Sequence, residues 1–157
     1  MTKNVRRGGA GRPSGPGGIL LASEGRPIPP AAIEAAASLA GKGGLVHVFT
    51  IVRVWGTSLG LPNPGLLPSK REWDAQRKVV SDAVKRLEQL GVEADGHAVA
   101  TRKATKRIVG EAERLGCAAI VMAADRPRSR IVADLMWSQE PYRVRRRARV
   151  PVHLVTG

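Results

Sequence analysis

The stretch "KATKRIVGEAERLGCAAIVMA", residues 103–123, changes its hydrophobic period halfway along, and the fold turns on that change. Ala104, Ile108, Ala112 and Leu115 recur at spacings of three and four, the stripe of an amphipathic helix, and Gly116 stops it. From Cys117 to Ala123 the chain is apolar without a break. That run is too short for a second helix, and it reads as a strand buried on both faces. A helix delivering the chain straight into such a strand is the repeating unit of a parallel sheet.

The same alternation continues on either side. "ILLAS", Ile19 to Ser23, is a short buried strand, followed by the breaker-rich "EGRPIPP" and a helix in "AAIEAAASLAG" with Ile33, Ala36, Ala37 and Ala40 on one face. "LVHVFTIVRVW", Leu45 to Trp55, is a second strand. After a Gly/Pro loop, Ser69 and Glu72 form a capping box, with Pro68 and Trp73 at the staple positions. The helix they open carries the stripe Trp73, Val80, Ala83, Val84, Leu87 and Leu90, interrupted by Gln76 and ended by Gly91. "EADGHAVAT" is a weaker third strand, and Val150 to Val155 is the last. Between strands four and five, Val144 and Ala148 are spaced to face the sheet from a fourth helix. The pattern predicts an α/β fold: a single doubly wound, mainly parallel five-stranded sheet of Rossmann-like type with four helices. It occupies residues 18–157, preceded at 1–17 by a basic Gly/Pro/Arg arm with nothing large to bury.

Composition bounds the chemistry. Aromatics make up 3% of the 157 residues, so the core must come from Val, Ile, Leu and Ala. The single cysteine, Cys117, excludes an intrachain disulfide and a cysteine-based zinc cluster. His47, His97 and His153 lie in strand segments without metal-ligand spacing and read as satisfied structural histidines. No run approaches the roughly 18 apolar residues that span a bilayer, and a cytoplasmic protein is expected. The net charge of +13 favours anionic partners. It is concentrated in Lys3, Arg6, Arg7 and Arg12 of the arm and in the eight arginines of residues 126–149.

Ligands of doubly wound sheets sit beyond the carboxyl ends of the strands, where strand order reverses. The loop "DRPRSRI" after strand four is at such an end and carries Arg126, Arg128 and Arg130. Several local sequences in order, "ILLASEGRP", "VHVFTIV", "TKRIVGEAERLGCAAIVMA" and "RVPVHLV", resemble the universal stress protein family, over Gly18 to Thr156. The resemblance implies that family's adenine-nucleotide α-hydrolase-like fold, a homodimer paired through the last strands, and a regulatory rather than enzymatic role in the stress response.

It also implies a phosphate nest after strand four: Gly, two residues, Gly, nine residues, then Gly with Ser or Thr. Here the first of these positions falls on Ala123, the second on Arg126, and Ser138 is the remnant of the last. Arginine at Arg126, followed by Pro127, does not supply the glycine's backbone geometry, so the expected reading is a degenerate ATP motif. Glu24, beside Gly25, stands where the family has an aspartate, and Val52 matches the position that meets the adenine. No cofactor is expected, and ATP is the ligand only of an alternative reading, in which Glu24, Val52, Arg126, Arg128 and Ser138 build an unconventional pocket, that of a nucleotide binder or a slow hydrolase. The loop arginines admit two accounts, guanidinium forks for phosphate or solvated charges, and the second is favoured because the flanking glycines are gone. A further alternative is nonspecific nucleic-acid or other polyanion binding through the arm and "RVRRRAR". No Ser/His/Asp set or paired acids suggests catalysis, and the protein is expected not to be an enzyme.

Overall fold

The structure is a computed structural model and describes residues 17–54, 67–125 and 139–156. The elements in chain order are β1 (Gly17–Ser23), α1 (Pro30–Ala40), β2 (Leu45–Arg53), α2 (Lys70–Gln89), β3 (Glu93–Thr101), α3 (Ala104–Leu115), β4 (Cys117–Ala124), α4 (Glu140–Arg147) and β5 (Val152–Thr156). The five strands form one parallel sheet in the order β3-β2-β1-β4-β5. The chain therefore winds outward to β3, returns beside β1, and winds outward again to β5. Strand order reverses between β1 and β4, which pair from Gly17 with Cys117 to Ala22 with Met122.

Alternation along the strands divides the core in two. Ile19, Leu21, Val46, Val48, Ala119 and Val121 face α1 and α2. Leu20, Ala22, Phe49, Ile51, Ile120 and Met122 face α3 and α4. Adjacent residues of β1 thus point into different layers, which is why "ILLA" is apolar throughout instead of alternating.

Helix ends follow the sequence signals. Ser69 and Glu72 exchange bonds of 3.1 and 3.2 Å as a capping box. Gly41, Gly91 and Gly116 end their helices at φ of 77°, 87° and 66°, a region open to glycine. Leu90, expected on the buried stripe of α2, instead lies past the last turn and is exposed.

β1 begins two residues earlier than the expected Ile19. A side chain at Gly17 would place its Cβ 1.8 Å from the Gly116 carbonyl oxygen, and one at Gly18 would lie 2.4 Å from that of Leu45. Glycine here is not a breaker before the strand. It is the residue that lets the strand pass between two crowded turns.

Candidate functional site

Loops from both halves of the sheet converge at the carboxyl ends of β1 and β4. Ser23 and Glu24, the last residues of β1 and its loop, are each 2% exposed although polar. The Ser23 hydroxyl accepts from the Gly25 N–H at 3.1 Å and donates to the Arg26 carbonyl at 2.5 Å, folding residues 23–26 into a tight turn. Gly25 sits at φ 126°, which an L side chain rarely adopts.

That turn aims Arg26 back over the strand end. Its Nε donates to both Glu24 carboxylate oxygens, at 3.1 and 3.0 Å, and its Nη2 lies 2.9 Å from Oε2. Nη1 donates to Asp125 Oδ2 at 3.1 Å, so one guanidinium bridges the end of β1 to the end of β4. Burying the Glu24 carboxylate would be costly without this partner.

The bridge belongs to a longer network. From α2, Gln76 Nε2 donates to the Gly25 carbonyl at 3.0 Å, which explains the polar interruption in that helix's apolar stripe. Arg53, at the end of β2, donates from Nε to the Glu24 carbonyl at 3.2 Å and lies 3.8 Å from Glu140 of α4. The Tyr142 hydroxyl donates to the Asp125 carbonyl at 2.5 Å, and the Thr105 hydroxyl of α3 donates to Glu140. Two buried polar atoms, Thr50 Oγ1 and Gln76 Oε1, find no partner among the described residues.

Of the residues singled out in the sequence, Glu24, Gly25, Val52 and Ala123 all lie at the carboxyl end of the sheet. Val52 is buried and Ala123 packs partly against the α1 layer. Arg126, Arg128 and Ser138 fall outside the described residues. Sequence reasoning missed Arg26, Arg53, Asp125 and Tyr142. The "SEGR" turn contained the signal for Arg26, because a base two residues after an acid at a buried strand end can reach back to it.

The histidine reading needs a correction. His47 Nδ1 meets Asp95 Oδ1 at 2.7 Å, but the buried Nε2 has no partner among the described residues, so this histidine is satisfied at one nitrogen only. No group of three metal-ligating side chains occurs among the described residues. The hydrogen bond to Glu111 holds the Arg114 guanidinium above its ordinary value, and the Lys70 hydrogen bond holds Asp74 below the usual carboxylate range. A recess of about 410 Å³ lies at the opposite, amino end of β4, between Val109, Ala112, Cys117, Ile120 and Val150. Its walls are mostly apolar, and it has no share in the polar network.

No helix among the described residues is long and apolar enough to cross a membrane. No curated protein matches the chain. A universal stress protein from Archaeoglobus fulgidus is similar in structure, with a TM-score of 0.64, 20% identity, and coverage of 87% of this chain and 90% of that one. A universal stress protein from the same organism in complex with dAMP gives a TM-score of 0.60 at 20% identity, covering 87% of this chain and 95% of its own. A universal stress family protein from Burkholderia pseudomallei gives 0.60 at 25% identity over 91% of this chain and 98% of its own. The family model for the universal stress proteins matches residues 18–156. With five parallel strands, four helices and that match spanning nearly the whole described chain, the protein belongs to the universal stress protein family.

Proposed function

We propose that this is a non-enzymatic, cytoplasmic regulatory module of the stress response whose nucleotide cleft is held shut by its own ion pairs. The observation that carries this reading is the bidentate hold of Arg26 on Glu24. The Archaeoglobus relative is found with dAMP. In this chain, both carboxylate oxygens of Glu24, which stands at the family's aspartate position, are already engaged, and the same guanidinium ties Asp125 across the strand reversal. The described residues therefore do not fit an adenine nucleotide in the usual way. Opening the cleft would first have to break a sheltered charge pair.

Equilibrium binding of ATP and of AMP, each with and without magnesium at near-physiological salt, tests the reading. The wild-type protein is expected to show no saturation up to about 1 mM, an affinity below roughly 4 kcal/mol. Micromolar binding abolished by Arg126→Ala with Arg128→Ala would overturn it in favour of a nucleotide-responsive protein with an arginine-built phosphate site.

The same reading makes the protein a homodimer through β5. That strand pairs with β4 on one side and is a sheet edge on the other, with Val152, Leu154 and Val155 only half-buried. Pairing with a second copy would cover the edge. Light scattering after gel filtration should then give twice the chain mass of 16.7 kDa. A Leu154→Pro substitution, which removes a donor from the edge, is expected to shift that mass toward the monomer.

A further inference from the structure

The two helical layers differ sharply in charge. On α2 six bases stand against four acids, and Lys70, Arg77 and Lys78 are paired along the helix with Asp74 and Asp82. On the other face, residues 102–116 and 139–150 carry ten lysines and arginines against three acids. All three acids are engaged within the layer, by Arg114, Arg143 and Arg149. Glu111 and Glu140 are also largely sheltered, with side chains 2% and 13% exposed. Glu113, half-exposed beside Arg149, is the acid of these two segments that reaches the surface.

α3 and α4 lie side by side and parallel. Thr105 meets Glu140 at their amino ends, and Glu113 meets Arg149 at their carboxyl ends. Val144, Ile108 and Ala112 turn inward to the sheet, which leaves Arg102, Lys103 and Lys106 exposed at the amino end of this layer and Arg145, Arg146 and Arg147 exposed toward its carboxyl end. Two basic runs separated by more than 30 positions in sequence thus become one ridge. At 1.5 Å per residue, α3 is about 18 Å long, which faces on the order of ten phosphate charges of a duplex.

We infer that the α3/α4 ridge is a docking face for the sugar-phosphate backbone of duplex nucleic acid, bound without sequence preference. Arginine forks suit phosphate oxygens. Among the described residues the one aromatic of the ridge, Tyr142, is not offered for base stacking, because Arg145 covers it at 5.3 Å and its hydroxyl is given to Asp125. A membrane surface fits less well. Among the described residues, the exposed large apolar ones, Leu39, Leu67 and Leu90, belong to the α1/α2 side, and the ridge itself presents none to lipid.

The test is fluorescence anisotropy of the full chain with a labelled duplex DNA of arbitrary sequence. Parallel arms use vesicles of phosphatidylserine and phosphatidylcholine. With about four phosphate contacts, affinity for the duplex should fall roughly a hundredfold between 50 and 200 mM salt. Lys103→Gln with Lys106→Gln, and separately Arg146→Gln with Arg147→Gln, should each weaken binding about tenfold. Each pair should also flatten the log-log salt slope by roughly two. The charge-matched pair Arg71→Gln with Lys85→Gln on α2 should stay within about twofold of wild type. Melting curves matching wild type show that every variant is folded. Equal losses from both faces would assign the attraction to net charge or the arm and overturn the ridge. Absence of duplex binding, or tighter binding to vesicles at equal phosphate, would overturn the nucleic-acid assignment.

Discussion

Phe49→Ala is expected to lower the stability of the fold by about 3–5 kcal/mol, seen as a fall in melting temperature of roughly 10 °C or more. Phe49 is the only phenylalanine in the chain, is fully buried in the middle of β2, and fills the α3-side core with Leu20, Ile51, Ile108 and Met122. Met122, Leu20 and Ile108 around it relax only in part toward the space it leaves, so a cavity remains. Its ring also meets the His97 ring edge-on at 5.2 Å and lies 5.9 Å beneath the Arg107 guanidinium. The substitution therefore removes an aromatic contact and a cation contact as well as volume. Phe49→Leu keeps most of the volume and should cost about 1.5 kcal/mol or less. Near-equal melting temperatures for the two variants would show that the cavity is not the cause.

Arg26→Ala is expected to cost about 3 kcal/mol, because it leaves the Glu24 carboxylate buried and deprived of its bidentate partner. The double substitution Arg26→Met with Glu24→Gln removes the charge together with its partner and should recover most of that loss. Chemical denaturation of wild type, both single variants and the double variant reads the coupling directly. A single-variant loss below about 0.5 kcal/mol would mean that the pair is solvated and the cleft not closed by it.

The layered sheet was legible in the sequence because each buried strand and each glycine-stopped helix leaves its own local period. β3, the weakest run, matched its expected span from Glu93 to Thr101. Gly96 interrupts it at a point where a Cβ would lie 2.6 Å from the Val48 carbonyl and 2.8 Å from Val80. The glycine that weakened the pattern is thus what allows α2 to sit close. The start of β1 differs from the expected Ile19 for the same reason: Gly17 falls in the Gly/Pro/Arg arm and Gly18 only opens the domain, and the neighbouring turns alone show why glycine is needed at both. The position of Glu24 at the cleft was also legible, because it follows a buried strand directly. Its bridge to Asp125 was not, because that contact joins residues 99 positions apart and depends on strand order. Periodicity does not encode that order.

α2 is a strut. Its 20 residues make a rod about 30 Å long, pinned near one end by Gln76 to Gly25 and, just past the other, by the Gly43 N–H on the Gly91 carbonyl at 3.1 Å. The two loops that flank α1 are thus fastened to the same rigid bar, and the α1/α2 layer must move as one body. Among the described residues the opposite rim of the cleft is tied by the Tyr142 hydroxyl on Asp125, the Thr105 hydroxyl on Glu140 and a 3.8 Å ion pair between Arg53 and Glu140. A partner that gripped α4 would therefore pull on Asp125 and Arg53 through these bonds, and so on the two strand ends that form the cleft.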